Sequence, residues 1–377
     1  MKERIYALLP DRLTDRYQAL KSRYNETFIA EYYRNKQKKK KYQKQINALC
    51  ALYEGKEILG DSGLISLSKL KQKSGQCDNQ TEEQSVCLMF LLDNSFLEAF
   101  KTLIYSLHKE ESLIELPIVI ITNDCKVLAN DFVKSVAADI HYLTEDDLSV
   151  FAGMSNEKVS KKYRINYAPK YTFLKFFVFK NYGYKNHIFL DCDLLCLNSA
   201  TQLLSFCGEV DFAITPNRDR RKLREFFNHN GSIISPNDAI KEYENYLLKS
   251  NYSLNEVNSG VMVIGERFIG DEIFNALVTL AKIEPYSKEQ DVTNNLLYFF
   301  EDLKWKYLHP RYNVLKTLLD LIDETTFKRD RDEMVFIHYL TTNKPWLKDP
   351  EAEELGWLDS LWWDYYNEAE EFFAKES

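Results

Sequence analysis

Short apolar runs alternate with amphipathic stretches through the middle of the chain. Runs at Val86–Leu92, Pro117–Thr122 and His187–Leu190 predict buried strands, because each is short, apolar and bounded by polar residues. The same criteria predict further strands at 140–143, 210–214, 260–264 and 334–339, and helices at 96–107, 127–137 and 170–181. Strands that alternate with helices of this length predict a three-layer α/β fold, a mixed sheet flanked by helices.

The two ends of the chain differ from this middle region in periodicity and charge. Residues 1–80 carry apolar positions three and four residues apart, including Leu13 and Tyr17, which predict a helical extension. Its first 50 residues hold 13 Lys and Arg against 5 Asp and Glu. The Lys-rich run at 36–44 is either a solvated helix face or a docking surface for an anionic membrane or a partner protein. Residues 347–377 predict an acidic, aromatic helical tail.

The composition narrows the class of protein. The 377 residues are 45% hydrophobic, enough for a large buried core, and their formal net charge is −8. The longest apolar run has seven residues and the N-terminus lacks the apolar segment of a signal peptide, so we expect neither a membrane span nor secretion. Seven scattered Cys residues are typical of a reduced, cytoplasmic protein. The acidic body disfavours nucleic acid as a partner, because phosphate contacts need clustered cations.

An acidic pair follows the third apolar run. Asp191 and Asp193 come directly after Ile188-Phe189-Leu190, with Cys192 between them. If the strand's alternation continues, the two carboxylates face the same way and Cys192 faces the other. Carboxylates at the carboxyl end of a buried strand indicate a site for a hard cation, and ligands of open α/β sheets bind at this edge. The alternative is a solvated turn at the strand end.

Two Lys residues and a His are further candidates. Lys175 lies in a helix that is apolar almost all round, where it needs an anionic partner: either a substrate phosphate or an internal carboxylate. His338 ends a predicted strand. It is either a structural residue or a third metal ligand beside the two carboxylates, a combination that suits Mn²⁺. Lys344 follows six residues later, in a loop stiffened by Pro345, where an ammonium can neutralise a leaving phosphate.

Two more motifs have a structural and a functional interpretation each. Asn258-Ser259-Gly260 opens a strand. The motif is either a turn in which glycine allows close approach of the backbone, or a contact for a polyhydroxyl ligand. Ser287 and Gln290 fit a capping box at the start of a helix, and the acidic Glu289 suits the positive end of that helix. Local capping explains the second motif without catalysis.

Taken in order, these motifs resemble the retaining glycosyltransferases of family 8, which include glycogenin and bacterial lipooligosaccharide galactosyltransferases. The resemblance rests on Lys175 placed sixteen residues before the Asp-x-Asp pair, then Asn-Ser-Gly, Gln-Asp-x-x-Asn and His-x5-Lys-Pro-Trp. It covers residues 84–346, and the Trp- and Tyr-rich stretch that follows is similar to bacterial members. It implies a GT-A fold, a Rossmann-like mixed sheet that binds a nucleotide sugar, and the predicted helical additions at both ends lie outside it.

The resemblance also implies roles for the charged residues. Asp191, Asp193 and His338 would bind Mn²⁺ or Mg²⁺, and Asp191 would also approach the donor. Lys344 would hold the donor diphosphate, and Lys175 would lie against the donor sugar and phosphate.

The donor's sugar and base would meet a second set of residues. Asn258 would hydrogen-bond the sugar, and Gln290 would lie on its reacting face. Glu289 departs from the family pattern, which usually has Asp there, so its contact with the sugar hydroxyls must shift. The segment that cradles uridine, with an aromatic stacked on the base, would comprise Leu92, Asp93, Asn94 and Phe96.

The activity implied is metal-dependent transfer of a hexose, with retention, from a UDP-sugar to a glycan, glycolipid or protein. A cytoplasmic enzyme of surface polysaccharide or lipooligosaccharide synthesis, peripheral at the inner membrane face, agrees with the basic N-terminus. The alternatives are a toxin-like enzyme that modifies proteins and a catalytically silent scaffold. A haloacid-dehalogenase-type phosphatase is disfavoured, because Leu195 stands where that family needs Thr or Val.

Overall fold

The computed structural model describes residues 43–53, 55, 57–73, 84–152, 170–217, 237, 241, 244, 257–283, 289–297, 299–340, 344–352 and 354–376. The chain divides into two compact units, residues 1–56 and 57–377. In the first unit, residues 43–52 are helical. The rest of the predicted basic extension, including most of the Lys-rich run, lies outside the described residues, and the boundary at residue 80 stays a prediction.

A seven-stranded mixed sheet forms the centre of the second unit, with the strand order β3-β2-β1-β4-β7-β6-β8. Strands β1 to β4 are parallel neighbours, whereas β7 runs antiparallel to both β4 and β6. A smaller sheet has the order β5-β10-β9. The strands are β1 Gln84–Leu91, β2 Ile118–Thr122, β3 Asp139–Tyr142, β4 Tyr184–Leu190, β5 Leu194–Cys196, β6 Phe212–Pro216, β7 Val257–Gly265, β8 Trp305–Tyr307, β9 Val314–Leu315 and β10 Phe336–His338.

Helices cover the main sheet, which confirms the predicted mixed α/β fold. They are α1 Leu67–Lys73, α2 Leu97–Lys109, α3 Cys125–Ala129, α4 Asp131–Val136, α5 Glu145–Ser149, α6 Lys170–Phe173, α7 Asp271–Ile283, α8 Glu289–Leu296, α9 Lys316–Leu319, α10 Glu324–Asp330 and α11 Trp357–Glu376. Two predicted helices differ in form. Asn130 separates α3 from α4 and caps α4 by accepting the N–H of Val133. The 170–181 helix tightens after α6 into a 3₁₀ helix, Leu174–Phe179.

The apolar runs of the sequence form the core because the central strands are covered on both faces. The residues of β7 are buried throughout, as are the last five of β4. Helix α2 buries Phe100, Leu103 and Leu107, spaced three and four residues apart, in the same cluster as strands β1 and β4.

The strand directions bring distant segments to one edge of the main sheet. The carboxyl ends of β1, β4 and β6 point to this edge, and the antiparallel β7 begins there. Leu92, Asp191, Thr215 and Asn258 therefore lie at the same edge, although 166 positions separate the first from the last. This edge is where open α/β sheets bind their ligands.

The C-terminal helix α11 packs on α2. Its Trp362 is 1% exposed, stacks on Tyr366 and packs at a tilt against Trp346, with centroid distances of 5.4 Å each. Charged contacts border this interface, with Lys101 bound to Glu370 at 2.6 Å and Lys109 bound to Glu368 at 2.5 Å. The acidic tail is thus a helix that completes the core.

None of the helices in the described part of the chain combines the length and apolar character that a bilayer span requires.

Replacing Trp362 with Ala tests the contribution of α11 to the fold. The substitution removes a fully buried indole, so we expect it to lower the free energy of unfolding by about 3–5 kcal/mol. Denaturant unfolding followed by circular dichroism measures this change. Asp364→Ala, an exposed site on the same helix, is the control and should change the stability by less than about 0.5 kcal/mol. Equal, small effects of both substitutions would contradict the packing described.

Candidate functional site

The acidic pair occupies a turn, not a strand. Strand β4 ends at Leu190, so the two carboxylates do not converge through strand alternation. Two backbone hydrogen bonds shape the turn instead: the N–H of Asp191 donates to Gly260 O at 2.8 Å, and the N–H of Tyr339 donates to Asp193 O at 2.9 Å. The intervening Cys192 is buried in the core cluster under β1. The two carboxylates and the Cys192 thiol therefore face different ways, as predicted, but the cause is a turn. Hydrogen bonds to β7 and to the residue after β10 hold this turn.

Three potential metal ligands meet at this turn. One ligand atom each from Asp191, Asp193 and His338 lies within 4.8 Å of the others. Nε2 of His338 is 3.0 Å from Oδ1 of Asp193 and 3.8 Å from Oδ2 of Asp191. Nε2 is buried and has no hydrogen-bond partner among the described residues. Adjacent ligands of an octahedral ion with bonds of about 2.1 Å lie about 3 Å apart. The cluster therefore fits a divalent cation, and its mixed oxygen and imidazole donors suit Mn²⁺ or a similar ion.

Lys344 lies on one side of this cluster. Its Nζ donates to Oδ2 of Asp193 at 2.5 Å and to the backbone oxygen of Tyr339 at 2.6 Å. The ammonium also lies 5.6 Å from the ring of Phe96 and 5.4 Å from the ring of Trp346. An ammonium has three N–H donors, so these two hydrogen bonds leave one for another acceptor.

Lys175 lies on the other side, in the 3₁₀ segment that follows α6. Its Nζ is 2.8 Å from Oδ1 of Asp191, donates to Oγ of Ser259 at 3.2 Å and lies 3.6 Å from Oε1 of Glu289. The anionic partner that the apolar helix requires is therefore an internal carboxylate.

Burial and the opposing charges set the electrostatics of the cluster. Burial lowers the pKa of Lys175, but the carboxylates of Asp191 and Glu289 outweigh it and raise this pKa above its usual value. Burial also raises the pKa of Asp193, but His338 and Lys344 hold this pKa below its usual range. For Asp191, burial dominates and raises the pKa, with Lys175 opposing it. Each lysine thus compensates one carboxylate of the pair.

The Asn-Ser-Gly motif lies within strand β7, not in a turn as one interpretation predicted, and its Gly260 contacts His338. A Cβ atom added to Gly260 would lie 2.5 Å from Cε1 and 2.7 Å from Nδ1 of His338. The close approach that the glycine allows is therefore the approach of the imidazole ring. Asn258 directs its Oδ1 inward, where it accepts the N–H of Gly260 at 2.9 Å and an N–H of Asn313 at 2.8 Å. Contact of Asn258 with a donor sugar stays a prediction and would use its amide nitrogen.

Glu289 and Gln290 begin helix α8 and have different environments. Glu289 is buried, and its Oε1 accepts the hydroxyl of Ser259 at 2.7 Å. Gln290 is half-buried, and its side chain has no hydrogen bond to any part of the chain that the structure describes. Ser287, the predicted cap of this helix, lies outside the described residues.

The predicted uridine-binding segment follows β1. Leu92 is buried, and Asp93 caps the next turn by accepting the N–H of Ser95 at 2.8 Å. The N–H of Asn94 donates to Oδ2 of Asp124 at 3.0 Å. Phe96 packs edge-on against Trp346 at a centroid distance of 5.5 Å. The structure brings this segment to the Lys344 side of the cluster.

Two further residues contribute to the site without having been predicted from the sequence, Asn313 and Thr215. Asn313 is 1% exposed and follows a 3₁₀ turn, Pro310–Tyr312. Its Oδ1 lies 2.8 Å from Nδ1 of His338, and its Nδ2 donates to Oγ1 of Thr215 at 2.8 Å. The available signal was a polar residue directly before the apolar pair Val314-Leu315, which is a weak pattern.

Residues 87–349 match the sequence profile described as "Glycosyl transferase family 8". No curated protein sequence gives a significant match to the chain.

Several solved structures are similar in fold. The glycosyltransferase GlyE of Streptococcus pneumoniae TIGR4 shares 18% identity with a TM-score of 0.46, over 78% of this chain and 65% of its own. The galactosyltransferase LgtC, solved with donor and acceptor sugar analogues, shares 16% identity with a TM-score of 0.47, over 74% of this chain and 95% of its own. Core-mannan synthase A of Aspergillus fumigatus, in a Mn/GDP form, shares 14% identity with a TM-score of 0.39, over 62% and 74% of the two chains.

The chain thus spans slightly less than two thirds of the GlyE chain and almost all of the LgtC chain. The profile match covers most of this chain, including the acidic pair, His338 and Lys344. It agrees with the mixed α/β sheet and with the predicted GT-A fold. The chain belongs to glycosyl transferase family 8.

Proposed function

We propose that the chain is a metal-dependent enzyme that transfers a hexose from a nucleotide sugar, a UDP-sugar by family resemblance, to a hydroxyl of a glycan, glycolipid or protein. The observation that carries this proposal is the convergence of Asp191, Asp193 and His338 between two lysines. This arrangement lies at the ligand-binding edge of the sheet, in a chain of family 8.

The net charge of the site favours binding of an anionic substrate only when a cation is bound as well. Asp191, Asp193 and Glu289 contribute three negative charges, and Lys175 and Lys344 contribute two positive charges. A His that binds a metal has to be neutral, and with a neutral His338 the net charge is −1, which repels a diphosphate. When bound, a divalent cation would reverse the net charge to +1 and neutralise charge on the departing diphosphate.

The two lysines would act on different parts of the donor. Lys344 has an N–H donor left after its bonds to Asp193 and Tyr339, and the adjacent uridine segment would place a diphosphate beside it. Lys175 lies near Ser259 and Glu289, on the side where helix α8 would meet the sugar. Fixed cations near the leaving oxygen stabilise the charge that develops there as the glycosidic bond breaks.

Retention of configuration is best explained by attack on the same face of the sugar. Glu289, the candidate carboxylate for a covalent intermediate, accepts a hydrogen bond from Ser259 and lies 3.6 Å from Nζ of Lys175, which reduces its nucleophilicity. Gln290 is an amide and a poor nucleophile. The acceptor oxygen would instead bond to the anomeric carbon as the C–O bond to phosphate breaks, and its proton would pass to the departing phosphate oxygen.

The proposed acceptor class and cellular location are supported by the sequence alone. A basic arm of net charge +8 over residues 1–50 would draw the enzyme to anionic lipid, which favours a cytoplasmic enzyme that builds surface polysaccharide or lipooligosaccharide. Loss of liposome binding after deletion of residues 1–56, the first compact unit, would support this assignment. Unchanged binding would exclude it.

Asp193→Asn tests the metal-dependent reaction. We expect the wild-type chain to hydrolyse or transfer at least one member of a nucleotide-sugar panel with Mn²⁺ and to lose this activity in EDTA. The Asn variant should lose more than about 100-fold, because a neutral amide replaces a charged ligand. Released nucleoside diphosphate is the measured product.

Asp211→Asn is the matched control for this substitution. Asp211 is also buried and paired with a cation, Arg267 at 3.2 Å, but it precedes β6 at the opposite edge of the sheet. It should keep the activity per folded molecule. If the wild-type chain is inactive on the whole panel, the alternative of a catalytically silent scaffold is supported. An Asp193→Asn variant that stays active and binds the metal would exclude the metal assignment.

Gly260→Ala tests whether His338 is a ligand. The added methyl group would lie 2.5 Å from Cε1 of the ring and displace it, so we expect Mn²⁺ affinity to fall at least about tenfold. The free energy of unfolding should fall by about 1–3 kcal/mol from overpacking. Calorimetric titration with Mn²⁺ and thermal unfolding measure the two effects.

Gly356→Ala provides the control, because a Cβ at Gly356 would have no atom within 4 Å among the described residues other than Gly356 and its two chain neighbours. Its Mn²⁺ affinity should equal that of the wild type. A Gly260→Ala variant with wild-type Mn²⁺ affinity would remove His338 from the ligand set.

A further inference from the structure

The orientation of the His338 ring determines which nitrogen can bind a cation. The ring is 1% exposed, with Nδ1 2.8 Å from Oδ1 of Asn313 and Nε2 3.0 Å from Oδ1 of Asp193. A nitrogen that carries a proton cannot be a ligand, so the position of the ring proton decides the function of Nε2.

The hydrogen bonds of Asn313 fix the direction of its amide. Oδ1 of Asn258 is an acceptor, because it accepts the backbone N–H of Gly260 at 2.9 Å. Oγ1 of Thr215 donates its proton to the backbone oxygen of Asn258 at 3.0 Å, so it must accept from Asn313. Both atoms lie 2.8 Å from the same end of the Asn313 amide, and this end must therefore be the NH₂ group.

The oxygen of the Asn313 amide consequently faces His338. An amide oxygen only accepts, so the ring nitrogen 2.8 Å away must carry a proton. We propose that Asn313 is a positioning residue that keeps the ring proton on Nδ1 and leaves the lone pair of Nε2 directed at Asp191 and Asp193. Sequence motifs do not indicate this role, and it rests on the proposed function only in that Nε2 is the atom that binds the metal.

The network connects the metal site to the backbone through one chain of hydrogen bonds. The N–H of Gly260 orients Asn258, Asn258 and Thr215 orient Asn313, and Asn313 orients His338. Gly260 also leaves the space that the ring occupies. Asn258 therefore has a role inside the protein in addition to any contact with a sugar. Metal-binding imidazoles generally need such a partner on the second nitrogen, and its loss lowers metal affinity about 10–100-fold.

The experiment replaces Asn313 with Leu, which has a similar volume and no acceptor, in the full chain. Two measurements are made: Mn²⁺ affinity by electron paramagnetic resonance, and ring ¹⁵N chemical shifts of the metal-free protein labelled at its six His residues. His338→Gln assigns the His338 signals. His187 is an internal standard, because its Nδ1 lies 2.8 Å from the carbonyl oxygen of Val178 and must carry a proton too.

We expect the wild-type His338 to show a protonated Nδ1, and Asn313→Leu to lose this signature while His187 is unchanged. Mn²⁺ affinity of the variant should fall about 10–100-fold. The control is Asn186→Leu, at a buried amide that accepts the N–H of Gly208 at 3.1 Å and donates to Ser85 O at 3.0 Å. Asn186 lies near the start of β4, away from the cluster, and its replacement should not change Mn²⁺ affinity.

An unprotonated Nδ1 in the wild-type protein would overturn the proposal, even if the variant fails to fold. Wild-type Mn²⁺ affinity and an unchanged His338 spectrum in Asn313→Leu would also overturn it. Failure of the proposed function has a different signature, because the wild-type chain would then bind no Mn²⁺ or would bind it equally well after Asp193→Asn.

Discussion

Two carboxylates held at the buried end of a strand are the constraint that the rest of the site satisfies. Asp191 and Asp193 would repel each other and lose hydration without opposite charge nearby. The chain supplies this charge from two distant places: Lys175, before the strand, and Lys344, more than 150 positions later. The fold has to bring these groups together, and the sheet edge at the end of β4 is where it does so.

The smaller sheet and the C-terminal helix extend this constraint through the structure. Strand β10 carries His338 to the acidic turn, and the loop with Lys344 is anchored beyond it. Lys348 binds Asp359 of α11 at 2.5 Å, and the hydroxyl of Tyr339 donates to Leu358 O at 2.8 Å. Helix α11 lies outside the residues that match the family, yet it holds the segment that contains one of the two compensating lysines.

The central strands and helices could be predicted because each has a local cause: apolar runs became β1, β2, β4 and β7, and periodic stretches became α2 and α11. Strands β5 and β9 have three and two residues, so only long-range pairing defines them. Asp191, Asp193 and Lys175 could be singled out from sequence because a charge is conspicuous in or directly after an apolar run. The roles expected of Lys344 and Glu289, which lie in polar segments, came from the family resemblance. The turn at the acidic pair and the role of Asn313 could not be predicted, because both depend on hydrogen bonds to residues far away in the chain.

The central claim is that a cation converts a site of net charge −1 into one that attracts a diphosphate. Calorimetric titration of the wild-type chain with UDP, with Mn²⁺ and then with EDTA, tests it most directly. Coupling between the two ligands predicts UDP binding at least about tenfold tighter with Mn²⁺, with one ion per chain. Equal UDP affinity with Mn²⁺ and with EDTA would contradict the claim.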